Sequence, residues 1–261
     1  MLQRGQNDRW DMNNLLISWR FVWILMILSC GSSGKKSNPD SHLQGKIAPI
    51  ALIGIDELQQ EDLPLMLRTI SNCNPSVIAI CVIINEVDSA LVSSVKNSGR
   101  VLLGYTIVDN RVIESDAKLK RVSLGRGFMD YTMRGDRVAG NLVSTSFGGT
   151  IEYSMPITIL QHHDKERFID LFEQLIPLKP YKINFTRRLE DFDVVDDSEL
   201  DSPSICERLK GKIVLLGRMD SSPENTVEVE FQTGERSRIP QILVVANSTL
   251  TLLESGLVEL D

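Results

Sequence analysis

Short runs that are apolar at every position constrain this chain most. Val77-Ile78-Ala79-Ile80 and Ile213-Val214-Leu215-Leu216 are rich in Val and Ile and show no polar alternation, and the stretch from Ile47 to Ile55 is mostly apolar. A strand with one wet face alternates. A strand that is apolar throughout has both faces covered, as in a parallel sheet packed between helices. Helical spacing lies between the runs. Leu63, Met66, Leu67 and Ile70 fall on one face of a helix over 58–70, with Glu61 and Asp62 near its start and Asn74-Pro75 as its stop. Residues 88–97 place Leu91, Val92 and Val95 on one face, and Val101-Leu102-Leu103-Gly104-Tyr105 reads as the next strand. The second strand is expected over 77–84. This β-α-β-α-β order predicts an α/β fold: a mostly parallel sheet with right-handed crossovers and helices on both faces, three layers in all.

The same grammar returns near the C-terminus. A basic, Gly-containing lead-in (Leu209-Lys210-Gly211-Lys212) precedes the apolar run 213–216, and a later segment opens at Pro240 and stays largely apolar to Leu253, as a helix does. In α/β domains ligands sit beyond the carboxyl ends of strands, so residues 218–238, read as a loop, are where a binding site is expected. The middle of the chain is less regular. Residues 121–143 are rich in Gly and charge, one helix is expected over 158–175, and Tyr181 to Phe185 reads as a strand. The connection 192–203 carries Asp193, Asp196, Asp197, Glu199 and Asp201. It reads as a solvated surface, since the spacing does not match a calcium loop.

Composition narrows the function classes. The 261 residues carry a net charge of −7, with a pI near 5.1, and contain no basic run or zinc-type Cys pair, which argues against nucleic acid as a partner. Cys73 and Cys81 read as small buried hydrophobes; a disulfide between them would ask a helix end and a strand residue to meet. His162-His163 offers no metal-ligand spacing and reads as a solvated helix end. No phosphate-binding Gly loop, Gly-x-Ser-x-Gly elbow or His-Glu-x-x-His is present, and no cofactor or metal is expected.

Residues 15–29 form a hydrophobic run interrupted by Arg20, with its uninterrupted core at 21–28. That core is far shorter than the ~20 residues of a membrane-spanning helix. It matches a signal-peptide apolar region preceded by Arg4, Arg9 and Arg20. Ile27-Leu28-Ser29-Cys30-Gly31 resembles the lipobox of bacterial lipoproteins, in which Cys30 would be acylated, and the Gly/Ser/Lys segment that follows suits a flexible tether. Three readings stand for 1–30: a cleaved signal with lipid on Cys30, a short anchor helix, or the buried apolar helix of a cytosolic protein, the last disfavoured because two Trp and Phe21 crowd an otherwise polar leader. Residues 31–46 are the tether, and 47–261 the domain. Either of the first two readings holds the protein at a membrane in the cell envelope.

Several pieces together resemble one family, the type-two CHASE domain, an extracytoplasmic sensor found ahead of bacterial signalling outputs. They are Ala51-Leu52-Ile53-Gly54-Ile55-Asp56; Asn74-Pro75-Ser76 with the strand behind it; Gly125-Arg126-Gly127-Phe128-Met129-Asp130 followed by Gly135-Asp136-Arg137-Val138; Tyr181-Lys182-Ile183-Asn184-Phe185; and 209–217 with Ala246-Asn247. The chain departs from the family where a Trp-Pro is usual, keeping only Leu63-Pro64 and Arg68, and in lacking a His before Asn247. The resemblance implies signal input without catalysis, a small ligand of undefined identity, and a membrane partner that carries the signal.

The residues themselves nominate Asp56 at the first strand end, Asp220 just past the run 213–216, and Asn247 on the last helix as groups that would share a crevice. Asp130, Arg68 and Arg137 join them, the arginines facing an anionic ligand or forming surface ion pairs. Three functions follow: an envelope sensor or binding module, a lipoprotein hydrolase using Asp56 and Asp220, or a truncated receptor fragment.

Overall fold

The computed structural model describes residues 49–55, 62–147, 149–174 and 179–260. The N-terminal segment with Cys30, the tether and Asp56 lie outside the described residues. The chain runs through β1 (Ile50–Gly54), α1 (Leu63–Asn72), β2 (Val77–Ile80), α2 (Ser89–Ser98), β3 (Val101–Val108) and β4 (Arg111–Glu114). Next come α3 (Ala117–Lys120), β5 (Gly125–Phe128), β6 (Tyr131–Arg134), β7 (Arg137–Leu142), β8 (Ser144–Phe147) and β9 (Thr150–Tyr153). The rest comprises α4 (Met155–His163), α5 (Lys165–Phe172), β10 (Pro180–Lys182), β11 (Asp193–Val195), α6 (Ile205–Leu209), β12 (Ile213–Gly217), β13 (Thr226–Glu230), β14 (Arg236–Pro240) and α7 (Gln241–Glu254).

The main sheet is the one the apolar runs demand. Strands β11, β1, β12, β2 and β3 lie side by side and parallel, so β12 returns to fill the slot between β1 and β2. Tyr105 of β3 pairs with Phe128 of parallel β5 and also with Glu114 of antiparallel β4. Those two strands therefore flank β3 on opposite sides, and β4 extends the sheet past the end of β2. Alternation sends neighbouring residues into two cores. Ala51, Ile53, Ile78, Ile80, Val214 and Leu216 pack with α1, α2 and α6, whereas Ile50, Leu52, Val77, Ala79, Ile213 and Leu215 pack with α4 and α7. The fold is thus a three-layer α/β/α domain. Each fully buried Val, Leu or Ile contributes about 1.5–3 kcal/mol relative to exposure.

Helix boundaries follow local chemistry. Asp88 accepts a hydrogen bond from Leu91 N at the start of α2, and Gly99, in the left-handed region at φ 62°, ends it. Residues 158–175 do not form one helix: the chain breaks at Asp164 (φ −138°, ψ 86°), whose carboxylate accepts from Arg167 N and starts α5. The second strand stops at Ile80 rather than 84, which frees the residues after it to turn away from the sheet.

Three expectations are corrected. Residues 218–238 are not only a loop, because β13 and β14 pair there as an antiparallel hairpin. That hairpin joins β6, β7 and β10 in a second sheet, which organises much of the irregular middle. Cys73 is not a lone buried thiol but is disulfide-bonded to Cys206, tying the end of α1 to α6 with Cα atoms 4.3 Å apart. His163 is not a merely solvated helix end: its Nδ1 lies 2.7 Å from Ser76 Oγ.

Candidate functional site

Beyond the carboxyl ends of the parallel strands lies a cleft of about 530 Å³. Its residues come from strand exits: Ile55 follows β1, Cys81 and Val82 follow β2, Met129 and Asp130 follow β5, and Arg218 follows β12. Thr106 contributes from the outer part of β3, and Gln241 and Ile242 open α7. The volume falls in the range of small-molecule sites, and the place is the one ligands take in open α/β sheets. Gly217 is needed at the mouth, since a Cβ there would come within 2.9 Å of Ile242 Cδ1. With no side chain at that point, the first turn of α7 closes against the end of β12.

The wall has an apolar part (Ile55, Val82, Ile83, Met129, Ile242) and a polar part. Asp130 is half-buried, and its carboxylate accepts hydrogen bonds from the Thr106 hydroxyl and from Ile107 N, the latter at 3.0 Å. Both partners are neutral, so these bonds orient the carboxylate without cancelling its charge. Burial and the Asp130 charge push the Tyr131 phenol above its ordinary value. Cys81 Sγ faces Ala79 O, and burial pushes its thiol up to about 12. Asn225 Nδ2 donates to Asp220 Oδ2 (2.8 Å) and to Ser222 Oγ (2.9 Å), and Gln241 Nε2 donates to Glu224 O (3.0 Å). These bonds fix the polar rim.

The residues nominated from sequence do not all converge. Asp130 lines the cleft, and Asp220 stands behind it as the anchor of the 218–225 turn. Hydrogen bonds from Ser222 and Asn225 hold the exposed Asp220 carboxyl down to about 2, with Arg218 adding its charge. Asn247 faces no crevice. It is fully buried on α7, where its amide bonds the backbone of Arg187 in both directions. Arg137 pairs with Glu230 at the second sheet, and Arg68 lies in a separate groove between α1 and α2 with Ser71, Ser94 and Asn97. Sequence reasoning missed Thr106, Tyr131, Asn225 and Gln241. Tyr131 lies three residues past Phe128, but the strand before it, with two glycines and an arginine, carries no apolar run to mark its end. Thr106 was missed because β3 runs on past Tyr105.

Among the described residues no group of His, Cys, Asp and Glu is placed to hold a metal ion, and no helix is long and apolar enough to cross a membrane. Of the acids of 192–203, Asp193 is bound by Arg208 and Lys212, and Glu199 by Arg208. Comparison with protein-family models, with curated proteins and with solved structures finds no match to this chain.

Proposed function

We propose that this protein is an extracytoplasmic ligand-binding sensor module, held at a membrane through its N-terminal segment and passing its signal to a membrane partner. The observation that carries this reading is the cleft at the strand exits, a half-open place with an apolar wall and an oriented carboxylate. Two further points support it. The disulfide between Cys73 and Cys206 suits an oxidising compartment, and the ordered pieces from Ala51 to Asn247 resemble the type-two CHASE domain. A ligand acts here by favouring one of two arrangements of the elements around the cleft, α7 and the 218–225 turn being the segments that touch both cleft and second sheet.

The test is made in bacterial cells expressing the full chain. The expected result is that the protein fractionates with the envelope, is digested only when protease reaches the outer side of the cytoplasmic membrane, carries an oxidised Cys73–Cys206 pair, and crosslinks to a membrane protein. Recovery in the cytosol with both cysteines reduced would overturn the reading.

A further inference from the structure

We propose that a groove in the second sheet binds a short organic dianion, two acidic groups joined by an apolar spacer, with one end received by Arg134 and the other by Lys182. The groove shares no lining residue with the cleft, and it stands whether or not the sensor reading holds.

The groove, of about 560 Å³, is lined from β6, β7, β10 and β13 and by Leu260. Val138, Ile183, Phe185 and Phe231 are buried and close its floor. Gly140 of β7 pairs with Thr132 of β6 and with Lys182 of β10, so those two strands flank β7 on opposite sides. Arg134 of β6 pairs with Arg137 of β7. In register the two cations are therefore about 10 Å apart along β7 and two strand spacings, about 10 Å, apart across it. They enter the groove from opposite corners.

Pairing sets these two side chains apart from the other cations of the sheet. Arg137 is bound to Glu230, and Arg236 lies 3.8 Å from the same carboxylate. Arg238 donates to Thr226 O (3.0 Å) and Pro223 O (3.1 Å). The side chains of Arg134 and Lys182, both on exposed residues, take part in no hydrogen bond or ion pair among the described residues. The pairing state of two named side chains defines the site, not a sum of charges around it.

The strip between the two cations is apolar. Ala139, half-buried, lies between Arg137 and Gly140 on β7, and Leu260 Cδ2 comes within 3.1 Å of where a Cβ on Gly140 would stand. Leu260 is placed by its N–H, which donates to Pro180 O at 3.3 Å. An inorganic anion bound at either cation would leave this strip wet, and a monoacid would leave one cation unpaired. A hydrocarbon spacer with an acid at each end covers the strip and reaches both corners. Arg134 suits a carboxylate through parallel N–H bonds, and Lys182 meets the other as a point charge.

The experiment is calorimetric titration of the purified full chain at low salt, where exposed charges are least screened. The probes are the diacids succinate, adipate and suberate and the matched monoacids hexanoate and octanoate. Adipate or suberate is expected to bind tighter than its monoacid by roughly fivefold or more, the scale of one added ion pair at a partly open site. Succinate, too short to reach both cations, is expected to bind as a monoacid does. Arg134→Gln and Lys182→Gln are each expected to erase the gap between diacid and monoacid without moving the urea midpoint, since neither side chain has a partner to lose. Lys96→Gln, at an exposed cation on α2, is expected to change no affinity; a loss there equal to that of Lys182→Gln would show general charge attraction and overturn the proposal. Equal binding of each diacid and its monoacid would also overturn it, as would no heat from any diacid at millimolar concentration. Tightest binding by succinate or by inorganic phosphate would overturn it too.

Discussion

Asn247 and Arg187 hold each other through a closed pair of hydrogen bonds: Arg187 N donates to Asn247 Oδ1 and Asn247 Nδ2 donates to Arg187 O, each at 3.1 Å. The same Nδ2 also donates to Leu243 O within the helix. A fully buried amide in mid-helix is therefore satisfied by the chain segment that follows β10, and it pins that segment to α7. Replacing it by Ala orphans both backbone groups of Arg187. Asn247→Ala is expected to cost about 2–4 kcal/mol in urea unfolding. A cost below about 0.5 kcal/mol, the scale of surface substitutions, would show that the pair does not hold the segment.

The disulfide between Cys73 and Cys206 closes a loop with a sequence separation of 133 residues. Crosslinks of long loops restrict the unfolded chain, with typical gains of about 2–4 kcal/mol. Cys73→Ala/Cys206→Ala, or reduction of the parent, is expected to lower the unfolding free energy by that amount without altering far-UV circular dichroism. A second consequence is local. The α1–α6 junction becomes the first region to gain hydrogen exchange on reduction, measurable peptide by peptide.

Acid sensitivity is expected from Asp193. Burial alone would raise its carboxyl, but hydrogen bonds from Arg208 and Lys212, together with their charges, outweigh burial and hold it below the ordinary carboxylate value. A group whose pKa is depressed by folding adds stability above its unfolded value and loses it as pH falls through the folded one. The Asp193 contribution is therefore present at pH 7 and drains away below about pH 4. Asp193→Asn should be less stable than the parent at pH 7, and the gap should close as unfolding is measured toward pH 3. A gap independent of pH would mean that Asn loses packing rather than charge.

Much of the main sheet was legible because burial on both faces leaves a plain mark. Ile50 to Ile53, Val77 to Ile80 and Ile213 to Leu216 have no polar residue to hide them, and all are fully buried. The second sheet had no such mark. Its strands are short and carry Gly, Arg and Glu, and β7 holds Gly140 against Tyr181 O with Asn141 buried beside it. Only Thr226-Val227-Glu228-Val229-Glu230 shows the period of a strand, and it sits where a loop was expected. For the site, the rule of strand exits pointed to 218–238, part of which lines the cleft, while Asp130 came from the resemblance in 125–130. Asn247 was misplaced because a polar residue in an apolar helix has the same signature whether it faces a ligand or satisfies buried backbone. The disulfide was equally hidden: Cys73 and Cys206 meet only because β12 returns beside β2.

Cys81 provides a chemical probe of the cleft. It exits β2 with its backbone N–H bonded to Leu216 O at 2.7 Å, so its position is fixed by the sheet itself. Burial raises its thiol from 9.0 to about 12. The thiolate is the reactive form, so at neutral pH the reactive fraction falls by about a thousandfold. Alkylation of Cys81 by iodoacetamide, followed by peptide mass mapping to separate it from Cys30, is expected to run roughly a hundredfold or more slower than for a peptide thiol. The rate should keep climbing through pH 10, where a peptide thiol has already levelled off. Rapid labelling at pH 7 would show instead that the thiol is open to water, and with it the floor of the cleft.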